Sequence, residues 1–324
     1  MNVLIIGGAG YIGSHQVKIM LEANHNVIVY DNLSTGHQDK VDKKAVFVKG
    51  DIRDYDLLKK TIIKYKIDAI MHFAALSIVS DSMNRALEYY DNNVYGFQVL
   101  LNVMRDTNVK NIIFSSTAAV YGKQDKMPID EKAMTIPSNP YGETKLTMEK
   151  MIKWAALSND FRYVILRYFN VAGASLDGSV GELHNPETHL IPIVLEVALN
   201  KREKLFVNGN DYNTKDGTCI RDYIHVLDLC QAHKLALDYL VSGNKSDTFN
   251  LGYGYGYSVI EIIESARKVC QHELLYEIAP RRQGDPDVLI ASCDKVKDVL
   301  KWQPKYNDIN IIIESAYNFI EKNK

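Results

Sequence analysis

A tyrosine and a lysine four residues apart are the side chains of this sequence best suited to proton transfer. Tyr141 and Lys145 open a predicted helix after Asn139-Pro140, and their spacing places the phenol and the ammonium on one helical face. A free tyrosine has a pKa of about 10, and a nearby cation favours its ionised form. Lowering that pKa by about three units corresponds to about 4 kcal/mol. The alternative for so common a spacing is an exposed pair without chemistry.

A glycine-rich turn near the N-terminus predicts a dinucleotide site. Gly7-Gly-Ala-Gly10-Tyr-Ile-Gly13 follows the first strand-like run and leads into a helix, which suits a pyrophosphate at the helix N-terminus. The pattern fits two registers, starting at Gly7 or at Gly8. Asp31 ends the second strand 18 residues after Gly13, where an acid can accept the ribose hydroxyls and disfavours the 2′-phosphate of NADP. The alternative is a strand-to-helix turn with incidental glycines.

The composition excludes several classes of partner. The chain has 324 residues and a formal net charge of -2, with acidic and basic residues interspersed, so neither nucleic acid nor an anionic membrane is indicated. Its four cysteines form no C-x-x-C pair, and the histidines show neither H-x-x-x-H nor HExxH spacing. We therefore expect no disulfides, no metal site and a cytoplasmic location.

Short apolar runs alternate with helix-length segments over the first half of the chain. The runs at 3–6, 27–30, 46–48, 69–72, 112–115 and 163–166 read as strands, and 11–23, 54–65, 84–107 and 141–157 read as helices. This rhythm predicts an α/β fold with a Rossmann-type doubly wound parallel sheet. Beyond residue 172 we expect a smaller C-terminal α+β lobe with one clear helix after Ser258. The predicted domains are 1–171 for NAD and 172–324 for the substrate, interleaved with each other.

The motifs together resemble a known superfamily. The glycine turn, Asp31-Asn32, Asp51-Ile52, His72-Phe-Ala-Ala75, Asp91-Asn92-Asn93, Ser115-Ser-Thr117 and Tyr141/Lys145 resemble the extended short-chain dehydrogenases/reductases. Later segments, namely 167–170, 209–211, 221–225, 250–252 and 280–285, are similar to the UDP-glucose 4-epimerase family. The resemblance runs from Met1 to about Trp302.

The resemblance implies roles for individual residues. It implies Tyr141, Lys145 and Thr117 as catalytic residues, a UDP-hexose as substrate, and NAD as cofactor. NAD would contact Gly7, Gly10, Tyr11, Ile12, Gly13, Asp31, Asn32, Asp51, Ile52, Phe73, Ala74, Ala75, Asn92, Tyr141, Lys145 and Phe169. The nucleotide sugar would contact Thr117, Tyr141, Asn170, Leu190, Arg221, Arg282 and Asp285. For the two arginines, a surface ion pair is the alternative to a pyrophosphate contact.

The resemblance also implies the reaction. Tyr141 would take the O4 proton while C4 passes hydride to NAD, and the 4-keto sugar would turn before hydride returns to its other face. The related 4,6-dehydratases carry an Asp-Glu pair where this chain has Ala118 and Ala119, so elimination of water lacks a catalyst. A net dehydrogenase, a dehydratase and a noncatalytic NAD-sensing regulator remain the alternatives. A homodimer through the helices at 84–107 and 141–157 is implied as well.

Four positions depart from the family pattern or leave it open. Thr117 stands where serine is frequent and keeps the hydroxyl. Ser77 replaces a lysine seen near the cofactor, and His189 replaces an asparagine at the sugar nucleotide, so their ligand contacts stay open. Leu289 aligns with a position whose bulk influences whether N-acetylated sugars fit, and leucine is intermediate in size.

Overall fold

Seven parallel strands form the central sheet, and each predicted strand of the first half of the chain belongs to it. The computed structural model describes residues 1–184, 186–282 and 285–323. The strands are β1 Asn2–Ile6, β2 Asn26–Asp31, β3 Val46–Lys49, β4 Ala69–His72, β5 Asn111–Thr117, β6 Arg162–Tyr168, β7 Asn170–Ala172, β8 Leu205–Asn208, β9 Ile220–Arg221, β10 Tyr223–His225, β11 Asp247–Leu251, β12 Tyr257–Ser258, β13 Tyr276–Ala279 and β14 Val288–Leu289. The helices are α1 Tyr11–Glu22, α2 Tyr55–Tyr65, α3 Val79–Ser82, α4 Ala86–Tyr89, α5 Gly96–Thr107, α6 Pro140–Asn159, α7 Leu190–Ala198, α8 Val226–Val241, α9 Val259–Cys270, α10 Asp294–Leu300 and α11 Ile309–Lys322.

The strand order of the sheet is β11-β6-β5-β4-β1-β2-β3, and all of its neighbouring strands are parallel. The predicted Rossmann-type doubly wound fold is confirmed. The order reverses between β1 and β4, and in such sheets ligands bind beyond the carboxyl ends of the strands at that point. The glycine turn after β1 and the segment after β4 lie at this edge.

Side chains of alternate strand residues pack into two separate cores, one on each face of the sheet. Val3 and Ile5 of β1 belong to one core, which includes apolar residues of α1 and α8. Leu4 and Ile6 belong to the other, with residues of α2, α5 and α6. The continuous apolar runs of the sequence follow from this arrangement, because a parallel sheet covered on both faces buries every position of a strand.

The C-terminal half of the chain adds three small sheets and one strand of the central sheet. The small sheets pair β7 with β10, β8 with β13, and β9 with both β12 and β14. β11 joins the central sheet beside β6. A domain boundary at 171/172 stays a prediction. All four cysteines are free thiols. Among the described residues, no helix is both long and apolar enough to cross a membrane.

Local signals set the ends of the helices that matter for the site. Asn139 caps α6 by accepting a 2.8 Å hydrogen bond from Gly142 N, and Pro140 begins the helix. Ser258 caps α9 and forms a reciprocal capping box with Glu261, which confirms the predicted N-cap.

The single helix predicted over 84–107 is instead interrupted. Residues 90–95 form a π-helical stretch between α4 and α5. The buried Asn93 side chain bonds Leu76 N at 2.9 Å, Leu76 O at 3.1 Å and Thr144 Oγ1 at 3.1 Å. We attribute the local widening to these three bonds, because they tie one helical residue to both a loop and a neighbouring helix.

Candidate active site

Three glycines of the turn after β1 differ in how much space the protein leaves for a side chain. Gly7 has a φ of +81°, and a Cβ there would lie 2.5 Å from Ala74 N. A Cβ on Gly13 would lie 2.1 Å from Gly7 O, so the turn itself requires glycine at both positions. A Cβ on Gly10 would meet only Gly7 O, at 3.4 Å. The protein therefore leaves room at Gly10, and a ligand lying against the backbone would explain that glycine.

The start of α1 fits the pyrophosphate of a dinucleotide. Gly10 is the N-cap and supplies no side-chain hydrogen bond, and no acid lies in the first turn. The helix start thus offers the main-chain N–H groups of Tyr11 and Ile12 and the positive end of the helix dipole. The Tyr11 phenol is already engaged, because it donates a 2.6 Å hydrogen bond to Gly173 O.

Two carboxylates predicted to contact NAD lie at the carboxyl end of β2 and just after β3. Asp31 accepts hydrogen bonds from Ala9 N at 2.9 Å and Leu33 N at 2.8 Å, which leaves further acceptor positions on its oxygens. Asp51 accepts from Asn32 Nδ2 at 3.1 Å. The hydrogen bonds from Arg53 lower the pKa of Asp51 despite partial burial, so this carboxyl is an ionised acceptor.

The remaining residues predicted to contact NAD lie along the carboxyl ends of the strands and the π-helical stretch. The Phe73 ring centroid is 4.9 Å from that of His233, and Ala74 follows it beside the glycine turn. Asn92 donates to Asn93 Oδ1 at 2.9 Å. Ile52 and Phe169 are buried, and Ala75 is partly buried.

Tyr141, Thr117 and Lys145 are brought together where α6 crosses the end of β5. The Thr117 hydroxyl accepts from Ala119 N at 3.1 Å and hydrogen-bonds the Tyr141 phenol. The Lys145 ammonium donates to Ser115 O at 2.8 Å and lies over the Phe114 ring. All three side chains are less than a tenth exposed. The arrangement places a phenol and a hydroxyl side by side for proton transfer.

The pKa values of Tyr141 and Lys145 differ from those expected from the sequence. Burial raises the pKa of Tyr141 to about 12, and the hydrogen bond from Thr117 offsets only part of that. Burial lowers the pKa of Lys145 to about 7, against the opposing effect of Glu149. Near pH 7, Lys145 is then uncharged in about half of the molecules. The polypeptide by itself therefore does not supply the predicted three-unit lowering, and a positively charged ligand ring would have to contribute most of it.

A buried network behind the site was not predicted from the sequence. Glu149 is fully buried, pairs with Arg167 at 2.5 Å, and accepts a 2.5 Å hydrogen bond from Ser116 Oγ. Arg167 also donates to the Tyr121 hydroxyl at 2.9 Å, and Tyr121 donates to Asn250 at 2.6 Å. Its one sequence signal is that Glu149 continues the four-residue spacing of Tyr141 and Lys145.

A second series of buried hydrogen bonds fixes Ser115, whose main-chain carbonyl accepts the hydrogen bond from Lys145. His233 Nδ1–H donates to Leu229 O at 2.9 Å, so its Nε2 accepts from the Ser115 hydroxyl at 2.9 Å. Burial lowers the pKa of His233 to about 4, which keeps the ring neutral and preserves this direction. Sequence reasoning missed His233 because it comes from α8, more than 100 residues away from β5.

Apart from Thr117 and Tyr141, the residues predicted for the nucleotide sugar lie in the part of the chain from β7 to β14. Arg221 lies 3.3 Å from Asp285 and donates to Ile220 O and Pro286 O, so part of its guanidinium serves the internal pairing that was the alternative. Arg282 is exposed, and residues 283 and 284 of its motif lie outside the described part of the chain. Asn170 donates its N–H to Asp222 O at 3.0 Å, and Leu190 begins α7.

The three positions left open have different surroundings. Leu289 packs against a buried cluster that contains Ala118 and Phe169, and is thereby near the end of β5. Ser77 is exposed. His189 faces Glu182 and Glu187 rather than standing alone, with its Nδ1 at 2.9 and 3.1 Å from their oxygens.

Comparison with known proteins gives one family and close relatives. Residues 3–252 match the model of the NAD dependent epimerase/dehydratase family. The chain is 53% identical over 321 residues to the UDP-glucose 4-epimerase of Lacticaseibacillus casei, covering 99% of this chain and 97% of that one. The Brucella ovis UDP-glucose 4-epimerase solved with NAD is 45% identical, with a TM-score of 0.95 and 98% and 97% of the chains covered. The Campylobacter jejuni UDP-Glc/GlcNAc 4-epimerase is 44% identical, with a TM-score of 0.87 and 99% of both chains covered.

Proposed function

The chain belongs to the NAD dependent epimerase/dehydratase family, and from this premise we propose that it interconverts UDP-glucose and UDP-galactose by inverting C4 of the sugar. Membership in this family confirms that the chain is an enzyme and that NAD is its cofactor. The finer assignment rests on one observation: Tyr141 at the start of α6 lies beside Thr117 at the end of β5, and the two residues after Thr117 are alanines.

The proton-transfer role falls to Tyr141. Its phenol is buried beside the Thr117 hydroxyl, which can stabilise the developing charge on either oxygen through a hydrogen bond. Lys145 is held one helical turn away by Ser115 O. Bound NAD would accept a hydride from C4 and return it, and its oxidised ring would add the positive charge that favours the phenolate.

The two alanines favour epimerisation over loss of water. Ala118 and Ala119 immediately follow Thr117, with Ala118 buried. A methyl group can neither donate nor accept a proton, so the 4-keto sugar meets no acid or base here to drive elimination across C5 and C6. The remaining step for the 4-keto sugar is the return of the hydride to C4, so the reaction would produce no net redox change.

Inversion requires that the sugar turn while the nucleotide stays bound. Arg221, Arg282 and Asp285, which we assign to the UDP half, lie on elements apart from α6 and β5. Binding energy concentrated on UDP would let the hexose present either face to the same phenol.

The assay that tests this function follows both products and cofactor. We expect UDP-galactose incubated with the purified protein to give UDP-glucose, with no accumulation of NADH absorbance and no loss of water from the sugar. Stoichiometric NADH release would identify a dehydrogenase, and a 4-keto-6-deoxy product a dehydratase. Cofactor binding without any change of the sugar would identify a regulator.

Activity on UDP-N-acetylhexosamines is a second candidate function. Leu289 packs against the cluster around Ala118 and Phe169, close to where the hexose would lie. One similar enzyme, from Campylobacter jejuni, is described as acting on UDP-Glc and UDP-GlcNAc. We propose that Leu289 limits the space available to an N-acetyl group without closing it.

We also propose a cytoplasmic homodimer built on α4, α5 and α6. Apolar side chains stand exposed on α4 and α6, with Leu87 82%, Trp154 72% and Leu157 79% exposed. Covering such side chains with a second copy would remove them from water. Light scattering tests this directly, because a Trp154→Glu variant should be monomeric while Leu275→Glu, at an exposed position elsewhere, should stay dimeric.

A further inference from the structure

Two glutamates and two histidines converge just before α7, next to Leu190 and apart from Tyr141, Thr117 and Lys145. Glu182, His184, Glu187 and His189 form two Glu-x-His pairs five residues apart, and their ligand atoms all lie within 4.8 Å of one another. The predicted absence of a metal site considered only the H-x-x-x-H and HExxH patterns, and this segment has neither.

The distances within this four-residue cluster suit a common central ion. Glu182 Oε1 lies 3.0 Å from His184 Nδ1 and 2.9 Å from His189 Nδ1. Glu187 Oε1 lies 3.1 Å from His189 Nδ1, and Glu187 Oε2 lies 3.9 Å from His184 Nδ1. Tetrahedral zinc with bonds of about 2.0–2.1 Å places neighbouring ligand atoms about 3.3 Å apart, within this range.

Hydrogen bonding alone explains the cluster less well. His189 Nδ1 is within 3.1 Å of an oxygen from each glutamate, yet a ring nitrogen has one in-plane direction for a hydrogen or a lone pair. Glu182 Oε1 likewise faces both imidazoles. One ligand atom from each of the four residues lies within 4.8 Å of the others, so a single ion between them could contact all four.

The geometry points to a zinc site formed by Glu182, His184, Glu187 and His189, and we propose that it is structural. Two imidazole nitrogens and two carboxylate oxygens are a donor set that zinc accepts, whereas magnesium and calcium prefer six or more oxygens. The four protein ligands complete a tetrahedron and leave no position for a reacting water. The glutamate side chains are only 7% and 6% exposed, whereas those of His184 and His189 are 28% and 51% exposed, so the ion would be shielded on the glutamate side and accessible from the histidine side.

The position of this site gives it a role in the fold. His189 directly precedes Leu190 at the start of α7, and the His184 ring packs edge-on against Tyr11 at a centroid distance of 6.5 Å. An ion held by both Glu-x-His pairs would fix the segment between the glycine turn and α7. Removing it should loosen the segment without altering Tyr141 or Thr117.

Zinc analysis of the tag-free, full-length protein tests the proposal. After dialysis against metal-free buffer, inductively coupled plasma mass spectrometry should find about one zinc per chain, falling to about a tenth or less in His184→Ala and Glu187→Gln. His272→Ala, which changes an exposed histidine elsewhere, should keep the full zinc content. Wild-type protein that neither retains zinc nor binds added Zn²⁺ in titration overturns the site, as do cluster variants that keep it.

A spectroscopic measurement on the wild-type protein guards against misfolded variants. Replacing zinc with Co²⁺ should give the visible bands of tetrahedral coordination and no thiolate charge-transfer band, because the proposed ligands include no cysteine. A spectrum typical of six-coordinate cobalt, or one with a thiolate band, contradicts the assignment.

Discussion

The Lys145 ammonium donates a 2.8 Å hydrogen bond to the main-chain carbonyl of Ser115, joining α6 to the end of β5. Ser115 is in turn held through its hydroxyl by His233 of α8. The bond therefore fixes the helix that carries Tyr141 against the strand that carries Thr117, so the phenol and the hydroxyl meet in one orientation. Lys145 thus has a positioning role that is independent of its charge.

Replacing Tyr141 with phenylalanine should remove the proton acceptor and leave the cofactor site intact. We expect kcat for UDP-galactose to fall by about 10²–10⁴-fold, the range of general acid–base catalysis, with NAD content unchanged. Tyr276→Phe, on the remote strand β13, is the matched control and should keep full activity. Full activity in Tyr141→Phe would remove this residue from the mechanism.

Alanine at two glycines of the turn should separate ligand binding from folding. In Gly10→Ala the new methyl group meets only Gly7 O at 3.4 Å, so we expect a folded protein with greatly weakened NAD binding. In Gly13→Ala the methyl group would lie 2.1 Å from Gly7 O, so the turn must distort and stability should fall. Calorimetric titration with NAD and thermal melting measure the two effects. Unweakened NAD binding by Gly10→Ala would argue against the ligand's approach to this backbone.

The buried amine of Lys145 predicts a pH dependence of stability. Its pKa is about 7 in the folded protein and about 10.4 in the unfolded chain, so between these values the unfolded state binds one more proton. The free energy of unfolding is therefore highest above the unfolded pKa of Lys145. It decreases as the pH falls towards 7, because the unfolded chain then takes up a proton that the buried amine does not. Relative to Lys145→Met, the free energy of unfolding should rise by about 1.4 kcal/mol per pH unit.

Urea unfolding of both proteins between pH 7 and 9 measures this difference. Groups common to the two chains cancel in the comparison, and this window ends below the range in which tyrosines titrate in the unfolded state. Parallel stability curves would show that Lys145 stays protonated in the fold, and that its cation is available to Tyr141 without help from the cofactor.

The size of residue 289 should set the balance between hexoses and N-acetylhexosamines. Leu289→Ala should raise the ratio of kcat/KM for UDP-N-acetylgalactosamine to that for UDP-galactose, and Leu289→Tyr should lower it, because the added or removed volume lies beside the cluster around Ala118. Val288→Ala, one residue away on the same strand, is the control. Equal ratios in all three variants would place the N-acetyl group elsewhere.

The sequence predicted the features of this molecule that depend on nearby residues. Six strands of the central sheet, the glycine turn and the Ser258 cap arise from local patterns of side chains, and the structure confirms each of them, whereas the seventh strand, β11, was not predicted. The parallel order of the sheet follows from the alternation of strands and helices. The π-helical stretch was missed because its cause, the bonds of Asn93 to Leu76 and Thr144, lies in distant contacts.

Long-range pairing and burial account for what the sequence did not reveal about the site. Glu149 and Arg167 are 18 positions apart and meet only because α6 packs against β6. The pKa of Lys145 depends on complete burial, which the Tyr141/Lys145 spacing does not encode. The cluster of Glu182, His184, Glu187 and His189 was not predicted, because its glutamates and histidines alternate and match neither the H-x-x-x-H nor the HExxH spacing.

The most direct test of the central claim follows the hydrogen on C4 of the sugar. UDP-galactose carrying deuterium at C4 should be converted into UDP-glucose that still carries it at C4, and turnover of unlabelled substrate in D₂O should introduce none. That result is expected when the hydride that leaves C4 returns to C4 without exchanging with water. Loss of the label to water, or its uptake from D₂O, would contradict transient oxidation at C4.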